Sequence, residues 1–174
     1  KVSCISKHNF GYLLNIPDVF EYKTDNEINH KITCKLLNKD GIDVKLDGRL
    51  IKYKGQMVEN KPHGKGLILL DKIIYTCDWV DGKLNNPVLI DYINGDKYNG
   101  DINNFCKNGV GEMQYSNGNF YKGDWKHDKH HGKGLMNYSN GDVYEGDWGG
   151  CDTTLSKGVW KYANGDVYEG CFKN

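Results

Sequence analysis

Three histidines and four lysines fall within twelve consecutive positions of this sequence: His127, His130 and His131 beside Lys122, Lys126, Lys129 and Lys133. Such a cluster could ligate a metal through imidazole nitrogen or hold an anionic headgroup through charge. Asp124 and Asp128 offset much of the charge, and His131 precedes Gly132 as His63 precedes Gly64, so a repeating pattern accounts for it. No metal site is read from it, and contact with anionic lipid is a weak expectation. Gly64-Lys-Gly66 and Gly132-Lys-Gly134 suggest phosphate loops, but they lack the G-x-x-x-x-G-K-[ST] spacing and a following helix whose N-terminus would bind phosphate. They read as strand glycines, and no cofactor is implied. Asp101, Asp124 and Asp147 recur at one repeat position, which marks a solvated face rather than an acid and base pair. Cys106 and Cys151 have no evident activating base. The chain is not expected to be an enzyme.

What remains for chemistry is aromatic surface. Twelve tyrosines and 22 glycines accompany only three prolines in 174 residues, and the formal net charge is zero, with 23 basic and 23 acidic residues. A balanced charge and a single arginine, Arg49, argue against nucleic acid, whose phosphates and base edges call for cations and guanidinium forks. No apolar run approaches the length of a spanning helix. Six cysteines without a C-x-x-C pair, and no visible signal peptide, favour reduced thiols and an intracellular, cytoplasmic setting.

The elements that must position the rings follow from periodicity. Tyr53, Tyr75, Tyr98, Tyr121, Tyr144 and Tyr168 are spaced by 22, 23, 23, 23 and 24 residues. Each of the clearer units reads Y-x-G-x-W or a close variant, as in Tyr121-Lys-Gly123-Asp-Trp125 and Tyr144-Glu-Gly146-Asp-Trp148. A Gly-x-Gly pair follows in phase (Gly64 and Gly66, Gly109 and Gly111, Gly132 and Gly134), then a tyrosine at offset seventeen (Tyr92, Tyr115, Tyr138), then Asn-Gly. Tyrosine, glycine and tryptophan at offsets zero, two and four share strand parity and so one face. The Gly-x-Gly pair and the later tyrosine share parity in a second strand, so each unit is a hairpin. Asn-Gly should close the link to the next hairpin with positive φ at both central residues. A strand glycine leaves a slot, and Gly111 or Gly134 should receive a ring of the adjacent unit. Gly100, Gly123 and Gly146 belong to the same structural set.

The fold expected is all-β: an elongated, twisted single-layer antiparallel sheet of stacked β-hairpins, since one hairpin alone is marginal in water. Residues 53–174 make the array, residues 28–52 a degenerate hairpin repeat, and residues 1–27, without a clear period, an end cap.

Y-x-G-x-W, Gly-x-Gly and Y-x-x-G at this period resemble the MORN (membrane occupation and recognition nexus) repeat over residues 53–174. The unit at Tyr75 departs, with Cys77, Asn86 and Val88 at the glycine positions, and the unit at Tyr144 carries one extra residue and Gly158 alone of its pair. Those units are expected to be distorted. The resemblance implies a curved one-layer sheet whose aromatic groove holds a peptide or helix of a protein partner. It also implies scaffolds, cytoskeletal or peripheral to a membrane, that self-associate end to end. The partner-binding set is then Trp79, Tyr92, Tyr98, Tyr115, Tyr121, Trp125, Tyr138, Tyr144, Trp148 and Tyr162, in a non-enzymatic scaffold. The alternatives are a regulatory or targeting segment of a larger enzyme and a peripheral lipid-binding module.

Overall fold

The computed structural model describes residues 3–4, 41–46, 49–149 and 156–172. The end cap at 1–27, apart from two residues, and the first part of the degenerate repeat lie outside the described residues. The chain forms two units, Lys1–Gly95 and Asp96–Asn174.

In the first unit β1 (Ser3–Cys4), β2 (Ile42–Leu46), β3 (Arg49–Val58), β4 (Lys61–Leu70), β5 (Ile73–Val80) and β6 (Lys83–Asp91) each pair antiparallel with the next. In the second, β7 (Lys97–Asn103), β8 (Cys106–Gln114), β9 (Phe120–Lys126), β10 (Lys129–Asn137), β11 (Val143–Trp148), β12 (Ser156–Lys161) and β13 (Val167–Phe172) do the same. Each unit is an open antiparallel sheet of consecutive hairpins, as the repeat period requires.

The two ends of a hairpin use different turns, and positive φ at both central residues, expected at Asn-Gly, is found at the other end. Asn104 and Phe105, His127 and Asp128, and Glu59 and Asn60 all have φ between 48° and 65°. These are two-residue turns with the mirror-image geometry that suits the strand twist, built without glycine. At Asn-Gly only the glycine is left-handed: Gly118, Gly141 and Gly165 have φ of 89°, 93° and 95°. Each glycine N–H donates to the carbonyl of Tyr115, Tyr138 or Tyr162, three residues back. Those tyrosines therefore open the turn rather than sit in a strand. The turns are tied to one another by the residue that closes them. Ser116 N–H donates to Asp96 Oδ1, Ser139 N–H to Asn119 Oδ1 and Ala163 N–H to Asp142 Oδ1, at 2.8–2.9 Å.

The Gly-x-Gly pair also divides in two. Gly64, Gly109 and Gly132 have φ of 63°, 113° and 55° and lie where the strand register shifts, so the first glycine is a bulge and not a strand position. The recurrent aspartates staple that bulge. Asp101 Oδ2 accepts the Val110 N–H at 3.2 Å and Asp124 Oδ2 the Lys133 N–H at 3.0 Å. They recur because a backbone donor needs them at each repeat.

The second glycine is different. Gly100, Gly111, Gly123, Gly134, Gly146, Gly158 and Gly170 stand in register, one on each strand from β7 to β13. A side chain on Gly111 or Gly134 would collide with the ring of Tyr98 or Tyr121. The ring belongs to the same unit, not to the adjacent one as expected. It lies across its own glycine pair and donates its hydroxyl to the carbonyl three residues on: Tyr98 to Asp101 at 2.8 Å, Tyr121 to Asp124 at 2.9 Å, Tyr144 to Asp147 at 3.0 Å. The adjacent unit supplies the tryptophan instead. Trp125 Nε1 donates to Gly111 O at 3.1 Å and Trp148 Nε1 to Gly134 O at 3.0 Å.

The unit at Tyr144 is not distorted in its strands. Gly146 pairs with Gly158 and Tyr144 with Trp160, so the extra residue falls between Trp148 and Ser156. In the unit at Tyr75 the register shifts between Thr76 and Asp78.

Candidate functional site: the ring face of the second unit

On the face of β7 to β13 that carries the tyrosines, rings meet edge to face with a regular beat. Tyr98 meets Trp125, Tyr121 meets both Trp125 and Trp148, and Tyr144 meets Trp148 and Phe172, with centroids 5.1–5.4 Å apart. Each such pair adds about 0.5–1.5 kcal/mol beyond the area it buries. The cross-strand partner of each tyrosine completes the packing: Met113 opposite Tyr98, Met136 opposite Tyr121 and Trp160 opposite Tyr144.

Of the rings proposed from sequence to bind a partner, Trp79, Tyr98, Tyr121, Trp125 and Tyr144 are buried, none more than 6% exposed. They hold hairpins together and present little area to a partner. Tyr92, Tyr115, Tyr138 and Trp148 are half-buried, and Tyr162 is 44% exposed. The accessible part of the stripe in the second unit is therefore Trp148 and the turn-side column of Tyr115, Tyr138 and Tyr162. Trp160, half-buried, joins it by stacking on Tyr138 at 5.0 Å and tilting against Tyr162 at 6.0 Å. Trp160 escaped the sequence reading because its position opposite a leading tyrosine holds methionine in the neighbouring units, Met113 and Met136.

A second set of side chains was also missed. Nine residues after Tyr53, Tyr75, Tyr98 and Tyr121 stand Pro62, Leu84, Lys107 and His130, which share a position but no chemistry. His130 stacks on Tyr121 at 3.7 Å and lies edge-on to Trp125 and Trp148 at 4.7 and 4.8 Å. Its Nε2 shares a hydrogen bond with the Tyr115 hydroxyl at 2.8 Å. Burial, and then the neighbouring Lys107 charge, push its pKa down to about 4. The imidazole is accordingly neutral at physiological pH. Burial, with Asp96 adding to it, raises the Tyr115 hydroxyl to about 12.

Lys107 is 9% exposed, and its Nζ lies 4.9 Å from the Trp125 ring centroid and 5.8 Å from that of Tyr98. Asp128, in the turn of the next hairpin, accepts the Lys107 backbone N–H at 2.8 Å and approaches Nζ at 3.8 Å. Burial lowers the Lys107 pKa while Asp128 and Asp96 oppose the shift. The histidine cluster seen in the sequence is thus divided. His130 faces the rings, while His127 is an exposed turn residue. Among the described residues no three histidine, cysteine, aspartate or glutamate side chains are grouped so as to hold a metal.

At the turn edge carboxylates sit beside the tyrosines. Tyr138 is raised by burial and by Asp142. Asp142 is held below the ordinary carboxylate value, first by the Ala163 N–H. The arrangement provides ring faces, two sequestered basic groups and a carboxylate rim.

Comparison with known proteins agrees with this geometry. No curated protein matches the chain. The family model for the MORN repeat matches residues 53–69, 107–120 and 121–143, which cover most of β3 and β4, most of β8 with the turn after it, and β9 through β10 to the turn following. Hairpins of one period and a tyrosine laid over a glycine pair run through the matched segments, so MORN repeats stand at residues 53–69, 107–120 and 121–143.

Proposed function

We propose that the second unit is a non-enzymatic interaction module that docks a segment of a partner protein along the turn-side column of its ring face. The observation that carries this reading is the contrast within one repeat position and its neighbours. The leading tyrosines Tyr98, Tyr121 and Tyr144 are sealed by the next hairpin, whereas Tyr115, Tyr138, Trp160 and Tyr162 keep part of their surface open. Half-open aromatic rings are the side chains that anchor protein interfaces, because they bring large area at low rotamer cost.

The test replaces Tyr138 and Tyr162 together by alanine, not Tyr121 and Trp125, whose loss would unfold the hairpins. Proteins recovered from the native source in near-equal amounts with the parent chain should be lost with the double variant. Circular dichroism and melting should show an intact sheet. Equal recovery by both would end this reading.

A further inference from the structure

Three Asn-Gly turns of the second unit share one geometry and differ in a single hydrogen bond. Asn117-Gly118, Asn140-Gly141 and Asn164-Gly165 are all exposed. Their glycines have φ of 89°, 93° and 95°, and each glycine N–H donates to the tyrosine carbonyl three residues back at 2.9–3.0 Å. Each asparagine Oδ1 accepts the backbone N–H two residues on at 3.0 Å. The amide nitrogens are held differently. Asn140 Nδ2 donates to Asp142 Oδ2 at 3.0 Å and Asn164 Nδ2 to Asp166 Oδ2 at 2.8 Å. At the first turn the residue two on is Asn119, which carries no negative charge, and among the described residues the Asn117 amide nitrogen donates to no side chain.

An asparagine before glycine is open to attack by its own backbone, because glycine has no Cβ to crowd the side-chain carbonyl. The glycine nitrogen, its proton lost to hydroxide, bonds to the asparagine Cγ. The Cγ–Nδ2 bond breaks, and with a proton from water the nitrogen leaves as ammonia. Water then opens the cyclic imide at one carbonyl or the other, which leaves aspartate or its isomer with the main chain routed through the side chain. Nothing is oxidised or reduced, and water is the only co-reactant consumed. For Cγ to turn toward the glycine nitrogen, the carboxamide must leave its partners. All three turns resist through Oδ1 and through the bond that engages the glycine proton. Asn140 and Asn164 must also release a bond to a carboxylate, which is about twice as strong as one between neutral groups. Asp142 is itself fixed, since its other oxygen takes the Ala163 N–H at 2.8 Å.

We propose that Asn117-Gly118 is a self-modifying site, at which the folded protein loses a carboxamide to water, while Asp142 and Asp166 hold Asn140 and Asn164 intact. The site lies in the link between β8 and β9, in the turn that the half-open Tyr115 begins. Aspartate at 117 keeps an oxygen for the Asn119 N–H and adds charge near Asp96, whose carboxylate takes the N–H of the adjoining Ser116. The isomer lengthens the main chain of the link by one carbon and so alters the turn at Tyr115. At Asn140 the same conversion would set a new carboxylate against Asp142 Oδ2. The clamp thus guards the turns least able to accept the product.

The test incubates the full chain at mildly alkaline pH and maps its peptides at intervals by mass spectrometry. Asn117 should lose its carboxamide about tenfold faster than Asn140 or Asn164, the factor expected from one charge-assisted hydrogen bond. In denaturant, where the clamps are gone, the three rates should converge. Asn119→Asp supplies the missing carboxylate and keeps the oxygen that accepts the Ser139 N–H, so it should slow Asn117 by about the same factor. Asp142→Asn keeps the oxygen that accepts the Ala163 N–H and should bring Asn140 up to the rate of Asn117. Both variants are read on chains that melt with the parent. Equal rates at the three turns of the folded parent, an Asn117 that stays intact, or a rate difference that persists in denaturant overturns the proposal. So does an unchanged rate at Asn117 in the first variant or at Asn140 in the second.

Discussion

Residues 41–95 and residues 96–172 use one backbone plan and fill it differently. The first unit packs its tyrosines among aliphatic side chains: Val44, Ile51, Ile68, Val88 and Ile90 are all at most 2% exposed. It also buries Leu69 and Ile74 on the opposite face, with Leu67 against them. The second unit replaces that filling with rings on one face and carries charged residues on the other, where Lys122 pairs with Glu112 and Lys133 with Asp147. The line of glycines marks the same divide. It runs unbroken through β7 to β13, but in the first unit it passes from Gly55 and Gly66 to Cys77. There the Cys77 thiol faces Gly66 O at 4.0 Å and the Trp79 indole N–H is buried without an acceptor. In the second unit the corresponding carbonyls of Gly111 and Gly134 each receive a tryptophan. Burial pushes the Cys77 thiol up to about 12, so it behaves as a small apolar filler. The comparison teaches that glycine is required where a ring must reach backbone, and dispensable where aliphatic packing takes over.

The largest effect should come from removing a ring that two hairpins share. Trp125→Ala deletes contacts to Tyr98 and Tyr121 and the bond to Gly111, and should cost about 3–5 kcal/mol in denaturant unfolding. Gly134→Ala forces a methyl into the Tyr121 ring and should cost about 1–3 kcal/mol. By contrast, Cys77→Gly should cost less than Gly134→Ala, and equal losses would break the distinction drawn between the units.

A pH effect should belong to the second unit. The His130 pKa is depressed in the folded state to about 4, below its unfolded value of about 6.5. Its contribution is therefore complete above pH 6.5 and is lost progressively as pH falls toward 4, because only the unfolded chain takes up the proton. Allowing for partial exposure, the loss should be about 1 kcal/mol, seen as a lower melting temperature at pH 4.5 that His130→Gln removes. A parent chain whose melting temperature does not change between pH 7 and 4.5 relative to that variant would refute it. The smallest effect should be Asp128→Asn. It keeps an acceptor for the Lys107 N–H and removes only a charge pair 3.8 Å long, costing about 0.5–1 kcal/mol.

Much of this was written in the spacing of residue types. Tyr, Gly and Trp at offsets zero, two and four do share a face, and strand parity alone gave that. What the spacing concealed had physical causes. Non-glycine turns such as Asn104-Phe105 carry no compositional signal, because the twist of the flanking strands imposes their positive φ. The Gly-x-Gly pair looked uniform, yet a bulge between its members turns one glycine into a hinge for the Asp101 or Asp124 staple. Position nine was invisible because Pro62, Leu84, Lys107 and His130 share only their place nine residues after a leading tyrosine. Of the expected partner-binding rings, Trp79, Tyr98, Tyr121, Trp125 and Tyr144 are buried, a depth that residue type and spacing do not encode.

The unbroken row of bare α-carbons also sets rules of inheritance for the second unit. Adding or removing a whole hairpin keeps every ring on its side, whereas one residue gained inside a strand would swap the ring side for the charged side from there onward. Growth by duplication of entire units is thus tolerated, whereas a smaller insertion is tolerated only where it leaves the strand register intact.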